Sequence, residues 1–314
     1  MTTKKELRKM LSDAVNLKSE SGNFIAGLTN PKTVKSVMTG YSEIDDHIGG
    51  FKPGQFVLVA SEAKFGKTIT LINLICGMIK DKANVLVFNS EVPQQQYIDL
   101  CMSCLSKVPY AALEQHKLSP EELQKLEQVA HNLKNNYGEL TIVHTSQKYT
   151  PNDIQKELNK IQSKQGIKYD VVVVDDVYMI RSDMSSTADY IDQARISVEE
   201  LKDIARKNNV TVLAAVLQTV ENDYNDYDVD EDEDDVDEES TGISYGWYQT
   251  ADVIFTIQDD KPYSSNIPTL RFNVQSRHSP EDSFELVTDF NRTTLKSIRD
   301  NPVFKDLWNK LKLG

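Results

Sequence analysis

Short apolar runs separated by polar, helix-length stretches recur along this chain. Phe56–Ala60 (FVLVA), Val85–Phe88 (VLVF), Leu140–His144, Val210–Leu217 (VTVLAAVL) and Ala251–Ile257 (ADVIFTI) have strand length and strand composition. In Tyr169–Ile180 (YDVVVVDDVYMI), four consecutive valines fit a parallel strand buried on both faces. Between these runs the spacing turns helical. Ile69–Lys80 is long and apolar enough for a buried helix. Residues 92–135 divide into PQQQYIDLCMSCLSK, YAALEQ and SPEELQKLEQVAHNL, the last opened by Ser119 as cap, Pro120 at the first position and Glu122 three residues after the cap. Thr150-Pro151-Asn152-Asp153 starts another helix, with Ile154, Leu158 and Ile161 on one face. Ile191–Asn208 directs Ile191, Ala194, Val198, Leu201 and Ala205 inward. Strands alternating with helices predict an α/β fold with a mostly parallel sheet. Leu270–Gln275 and Phe284–Thr288 read as a closing hairpin with Arg277 in its turn.

The two ends are simpler. Leu7, Met10, Leu11, Ala14 and Val15 make an apolar stripe over residues 4–18, flanked by Lys4, Lys5, Arg8 and Lys9. Such a helix buries its stripe on its own domain or on a neighbouring subunit, and the pattern leaves both open. Residues 19–35 are rich in Ser, Asn, Gly and Pro and read as a linker. Phe304, Leu307, Trp308 and Leu311 predict a short helix in a tail spanning 296–314.

Charge changes the picture at one place. The net charge of −13 comes from one tract: Glu221–Glu239 holds 13 acidic residues and no Lys or Arg, and setting it aside leaves 35 acids against 35 bases. We expect residues 221–240 to be a solvated, disordered insertion. No signal-like leader and no run of membrane-spanning length appears, so we expect a soluble cytoplasmic protein with no membrane partner. Cys101 and Cys104 form a C-x-x-C with no second ligand pair, which favours two core cysteines over a zinc site.

Candidate chemistry begins where the first strand ends. Ser61-Glu62-Ala63-Lys64-Phe65-Gly66-Lys67-Thr68, between a strand and a buried helix, has the form of a phosphate-binding loop, with Ser61 at the usual first glycine. Its backbone N–H groups and the helix N-terminus would face phosphate. Lys67 would reach the β- and γ-phosphates, and the Thr68 hydroxyl would ligate Mg2+. Asp175, ending the valine strand, would hold the metal shell. Glu91, just past the second strand, is placed to activate a water, although it also fits as an ordinary helix N-terminal acid. Gln218 ends the VLAAVL strand on the same edge, where it could sense a γ-phosphate or be a plain polar strand end.

Six segments together resemble the RecA-like motor domain of DnaB-type replicative DNA helicases over about residues 36–295: TGYSEIDDHIGGFKPGQ, SEAKFGKT, VFNSEVPQQQ, VVVVDDVYMI, VLAAVLQ and VQSRHSPEDSFELVTDFNR. The resemblance implies a P-loop ATPase with a central sheet flanked by helices and a C-terminal β-hairpin. It assigns Glu91 as the catalytic carboxylate, Asp175 as the metal-shell acid and Gln218 as the coupling glutamine. It also assigns Arg277 as an arginine finger acting on a neighbour's nucleotide, and gives Gln275 the place of a phosphate-touching basic residue. ATP and Mg2+ are the implied cofactors. A hexameric ring, single-stranded DNA, a primase and a helicase loader are the implied partners, in a bacterial or phage-infected cell. With about 35 residues ahead of the motor, a minimal form without the family's N-terminal helical domain is expected, with the helix at 4–18 docking on the adjacent protomer. The acidic tract falls where the family contacts DNA. It either swings aside, leaving Gly242–Thr250 to contact DNA, or mimics nucleic acid. A regulatory or scaffold ATPase that binds a basic protein through the tract without unwinding is the alternative.

Overall fold

The computed structural model describes residues 17–29, 36–62, 65–145, 149–177, 180, 190–217, 247–259, 269–277 and 279–297. The chain divides into two units, Met1–Lys35 and Ser36–Gly314.

In the first unit, helix α1 spans Leu17–Thr29. This corrects the expectation of a linker from residue 19. The small polar residues that suggested a linker bond locally within the helix: Ser21 Oγ donates to the Lys18 carbonyl (3.0 Å) and Asn23 Nδ2 to Glu20 (2.9 Å). The stripe expected over residues 4–18 lies, up to residue 16, outside the described residues.

The second unit is built on one sheet. In chain order its elements are α2 (Ser42–Ile48), β1 (Phe56–Ser61), α3 (Lys67–Lys80), β2 (Val85–Asn89), α4 (Gln94–Ser106), α5 (Tyr110–Glu114), α6 (Pro120–Asn135), β3 (Leu140–His144), α7 (Pro151–Gln165), β4 (Val171–Asp175), α8 (Tyr190–Asn208), β5 (Thr211–Leu217), β6 (Val253–Asp259), β7 (Thr269–Ser276), β8 (Ser279–Asp289) and β9 (Thr294–Ser297). Among the described residues the strand order is β3-β2-β4-β5-β1-β6-β7-β8-β9. The first six in that order pair in parallel, and β6 through β9 pair antiparallel.

The parallel strands read as unbroken apolar runs because helices cover both faces. Alternation sorts their side chains: Val57 and Val59 join α3 and α4 on one face, while Phe56, Leu58 and Ala60 join α7 and α8 on the other. Cys76, Cys101 and Cys104 are free and buried in the first layer, as expected for Cys101 and Cys104. Both expected helix starts carry capping boxes, Ser119 with Glu122 and Thr150 with Asp153.

The T-G-Y stretch at residue 39 has a packing role. A Cβ on Gly77 of α3 would sit 1.8 Å from the Thr39 carbonyl oxygen, so only glycine lets the helix meet that turn. Tyr41 then reaches over α3, its hydroxyl donating to Asn73 Oδ1 at 3.0 Å. One strand escaped the sequence pattern. β9 is four residues of mixed polarity and occupies positions 296–297, which were expected to open a helical tail. Its pairing with β8 buries Leu295, a tertiary gain invisible to local periodicity. The expected helix around residues 304–311 and the acidic tract lie outside the described residues.

Candidate functional site

Because β1, β2, β4 and β5 run parallel, their carboxyl ends lie on one edge of the sheet, the edge where α/β folds place ligands. β1 delivers Ser61 there, β2 delivers Ser90-Glu91, and β4 delivers Asp175-Asp176.

The loop from Ser61 into α3 has the features a phosphate cradle needs. Ser61 is buried, and its hydroxyl donates to the Glu62 carbonyl at 3.0 Å. Gly66 caps the helix in the left-handed region, with φ 81°. A Cβ there would approach the tip of the Leu270 side chain of β7 to 2.8 Å, which that side chain can yield to, so it is the backbone conformation that calls for glycine. Phe65 is half-buried, and Lys67 and Thr68 open α3, whose first turn contains no acidic residue and leaves its N–H groups aimed along the helix axis at the edge. Ala63 and Lys64 lie outside the described residues.

The carboxylates sort into distinct roles. Asp175 is fully buried, and neither of its carboxylate oxygens has a hydrogen-bond partner among the described residues. Burial, then the nearby charges of Glu91 and Asp176, push its carboxyl up to about 7, against a lowering pull from Lys67. A buried, unpartnered carboxylate beside two further acids is unfavourable by itself and suits a divalent cation. Asp176 instead pairs directly with the Lys67 ammonium, and both side chains are almost fully enclosed. No feature of the sequence shows that the second acid, Asp176, holds the loop lysine. Asn89 orders the approach to Glu91 by accepting from the Glu91 and Val92 N–H groups, both at 3.2 Å. The Glu91 side chain stays exposed on the edge, within electrostatic reach of Asp175.

Arg277 is elsewhere. It follows β7 and bonds to the amino end of β6: its guanidinium donates to the carbonyls of Gln249 (2.6 Å), Ala251 (3.1 Å) and Thr250 (3.3 Å). Asp252 organises this corner. It accepts from the Phe56 N–H at 2.7 Å, pairs with Lys202 and lies 3.7 Å from Arg277. Neither Lys202 nor Asp252 stood out in the sequence, although Asp252 at a strand start and Lys202 on the inward face of α8 were available as signals. Phe56 is the first residue of β1 and Ser61 the last, so the six-residue strand separates the two corners by about 20 Å. The structure therefore brings Ser61, Glu62, Phe65, Gly66, Lys67, Thr68, Glu91 and Asp175 to one edge and places Arg277 at the opposite one. Gln275 is on the hairpin too, donating to Glu281 at 3.1 Å. Gln218 lies outside the described residues.

With this geometry in hand, the comparisons are specific. The profile of the DnaB-like helicase C terminal domain matches residues 36–287. Replicative DNA helicase DnaB of Haemophilus influenzae is 26% identical over 270 residues, covering 84% of this chain and 55% of that protein. Replicative DNA helicase DnaB of Helicobacter pylori is 22% identical over 211 residues, covering 67% of this chain and 41% of that protein. The chain spans about half the length of the curated relatives it matches. Among solved structures, the ATPase domain of G40P superposes with a TM-score of 0.76 at 16% identity, covering 91% of this chain and 99% of that one. A DnaB-like replicative helicase studied with primase superposes with a TM-score of 0.74 at 17% identity, covering 93% of this chain and 70% of that one. These likenesses establish the RecA-like α/β architecture expected from the sequence. The match over residues 36–287 makes the chain a member of the DnaB-like helicase C-terminal domain family.

Proposed function

We propose that this chain is the ATP-hydrolysing motor of a replicative DNA helicase. It works in a homo-oligomeric ring of six, translocates on single-stranded DNA and unwinds duplex. The observation that carries this reading is the separation of Arg277 from Lys67 by the length of β1. An arginine about 20 Å from its own phosphate loop cannot serve that loop, and in a head-to-tail ring it meets the loop of the next subunit.

The nucleotide edge fits Mg-ATP. Thr68 and the orphaned Asp175 carboxylate would hold Mg2+, which when bound supplies Lewis-acid stabilisation of charge on the transferring phosphoryl group. Residues 61–68 cradle phosphate by backbone N–H groups, and Lys67 moves from Asp176 to the phosphate oxygens. Glu91 accepts the proton of the attacking water, and Asn89 fixes the backbone that carries it. Arg277 leaves its carbonyl partners to neutralise charge in trans, as Gln275 approaches from the same hairpin. Gln218 relays nucleotide state from the end of β5 to the segment leading into 247–250. There, Gly242–Thr250 contact DNA, and the acidic tract stands aside or covers the site until DNA displaces it. Primase and a loader are the expected protein partners, in the cytoplasm of a bacterial or phage-infected cell. Among the described residues no helix is long and apolar enough to cross a membrane.

Mixing tests the reading. Lys67→Ala and Arg277→Ala chains should each lose DNA-stimulated ATP hydrolysis. Mixed together before assembly, they should recover part of it, because some interfaces pair an intact loop with an intact finger. No recovery from rings shown to be mixed would remove the trans assignment. Hydrolysis indifferent to DNA in the unaltered chain would favour a regulatory ATPase.

A further inference from the structure

A lysine-lined cavity lies at the far end of α3 from the loop at residues 61–68. It encloses about 540 Å³, within the range of small-molecule sites. Its floor is the α3 surface at Asn73 and Cys76 together with Tyr41. Three lysines from three separate elements stand around it: Lys80 at the end of α3, Lys107 just after α4, and Lys296 on β9. Lys80 lies 13 residues along the helix from Lys67, about 20 Å away, so this is not the nucleotide edge.

Among the described residues no carboxylate pairs with any of the three ammonium groups. Asp289 feels the charge of Lys296 but pairs with Arg292 at 2.9 Å. Glu43, behind the cavity wall, is buried and bonded to Ser297. Lys80 and Lys296 both act electrostatically on Lys107, which places the three charges within reach of one another. Lysines also favour helix C-termini, and two helices end here. That preference accounts for Lys80 and Lys107 only. Two helix ends offset about one unit of the three charges, and Lys296 comes from a strand.

We infer that this cavity binds a small phosphorylated molecule bearing two or more negative charges, held by Lys80, Lys107 and Lys296, with its body against Tyr41 and Leu295. The charges are spaced around a cavity rather than along a groove, so a compact anion matches them better than a polymer.

Calorimetric titration of the full chain with inorganic pyrophosphate tests this, alongside Lys67→Ala, Lys107→Gln and the Lys80→Gln/Lys296→Gln pair. The Lys80, Lys107 and Lys296 side chains are exposed, so Lys107→Gln and the Lys80→Gln/Lys296→Gln pair should keep the unfolding temperature of the parent. We expect binding that survives Lys67→Ala and weakens at least tenfold in Lys107→Gln and in the pair. Binding lost in Lys67→Ala but kept in the other variants would assign the heat to the phosphate loop and overturn the inference. So would no binding in the Lys67→Ala chain, or binding that none of these variants alters.

Discussion

The two ends of β1 carry opposite imbalances of charge. At its carboxyl end Lys67 faces three acids, Glu91, Asp175 and Asp176. At its amino end Lys202 and Arg277 share one acid, Asp252. Within one chain the surplus acid and the surplus base are held apart by a rigid strand buried on both faces and cannot neutralise each other. Between chains arranged head to tail they can. On the proposed reading each edge is half of a site, and the charge imbalance favours an assembly that brings unlike halves together.

The largest effect should come from breaking the basic half. Arg277→Ala is expected to lower kcat of DNA-stimulated hydrolysis by about 10³-fold or more, with little change in nucleotide affinity. Arg277→Lys should not rescue it, because a single ammonium cannot reproduce the planar guanidinium fork. Steady-state kinetics with a separate nucleotide-binding measurement decide the matter. A change in KM alone would place Arg277 outside the reacting groups.

Next is the exposed acid of the other half. Glu91→Gln should cost roughly 10²–10⁴ in kcat while leaving Mg-ATP binding intact. Single-turnover hydrolysis separates this from a folding defect, and an unchanged turnover would return Glu91 to the role of a plain helix N-terminal acid.

Asp175 sharpens the comparison through stability. Its folded carboxyl is raised to about 7, above its ordinary value, so the folded state holds a proton that the unfolded chain has already released between about pH 4 and 7. The stability tied to that proton is fully present below about pH 4 and is lost as pH rises through 7. By pH 8 the charged, unpartnered carboxylate costs up to ~4 kcal/mol in the absence of nucleotide and metal. Asp175→Asn should therefore unfold several degrees higher than the parent at pH 8, with the gap closing toward pH 5. Thermal denaturation at both pH values checks this, and a variant less stable at both would mean that the carboxylate already has a compensating partner.

How much of this was legible in sequence follows from the reach of each interaction. The buried parallel strands announced themselves because burial on both faces demands an apolar residue at every position, as in Val171–Val174. The turn from β1 into α3 was legible because its geometry depends on consecutive residues, and Gly66 is constrained by its own φ. β9 was not, because only pairing with β8 makes a strand of it, and α1 was not, because its serines and glycine read as linker while its bonds are local to the folded helix. The pairings that set the charge balance were the least legible. Lys67 and Asp176 are 109 residues apart, and Lys202 and Asp252 are 50 apart, so no local window contains either pair.

The smallest expected effect tests the Lys67–Asp176 pair. On the proposed reading, Asp176 holds the lysine that nucleotide phosphate would capture, so binding would exchange one ion pair for another. Removing the competing charge leaves Lys67 free to meet phosphate, and it also removes one of the two acids that disfavour an ionised Asp175. Both effects point the same way. Asp176→Asn keeps the side-chain volume and a hydrogen-bonding amide, and should tighten nucleotide binding by a few-fold, under one order of magnitude because the pair is replaced rather than simply lost. Equilibrium binding of a fluorescent ADP analogue reads this directly. Weaker binding in the variant would mean that Asp176 positions Lys67 for phosphate instead of competing with it, and the acid-rich edge would then hold two acids that serve the ligand and a third that serves the lysine.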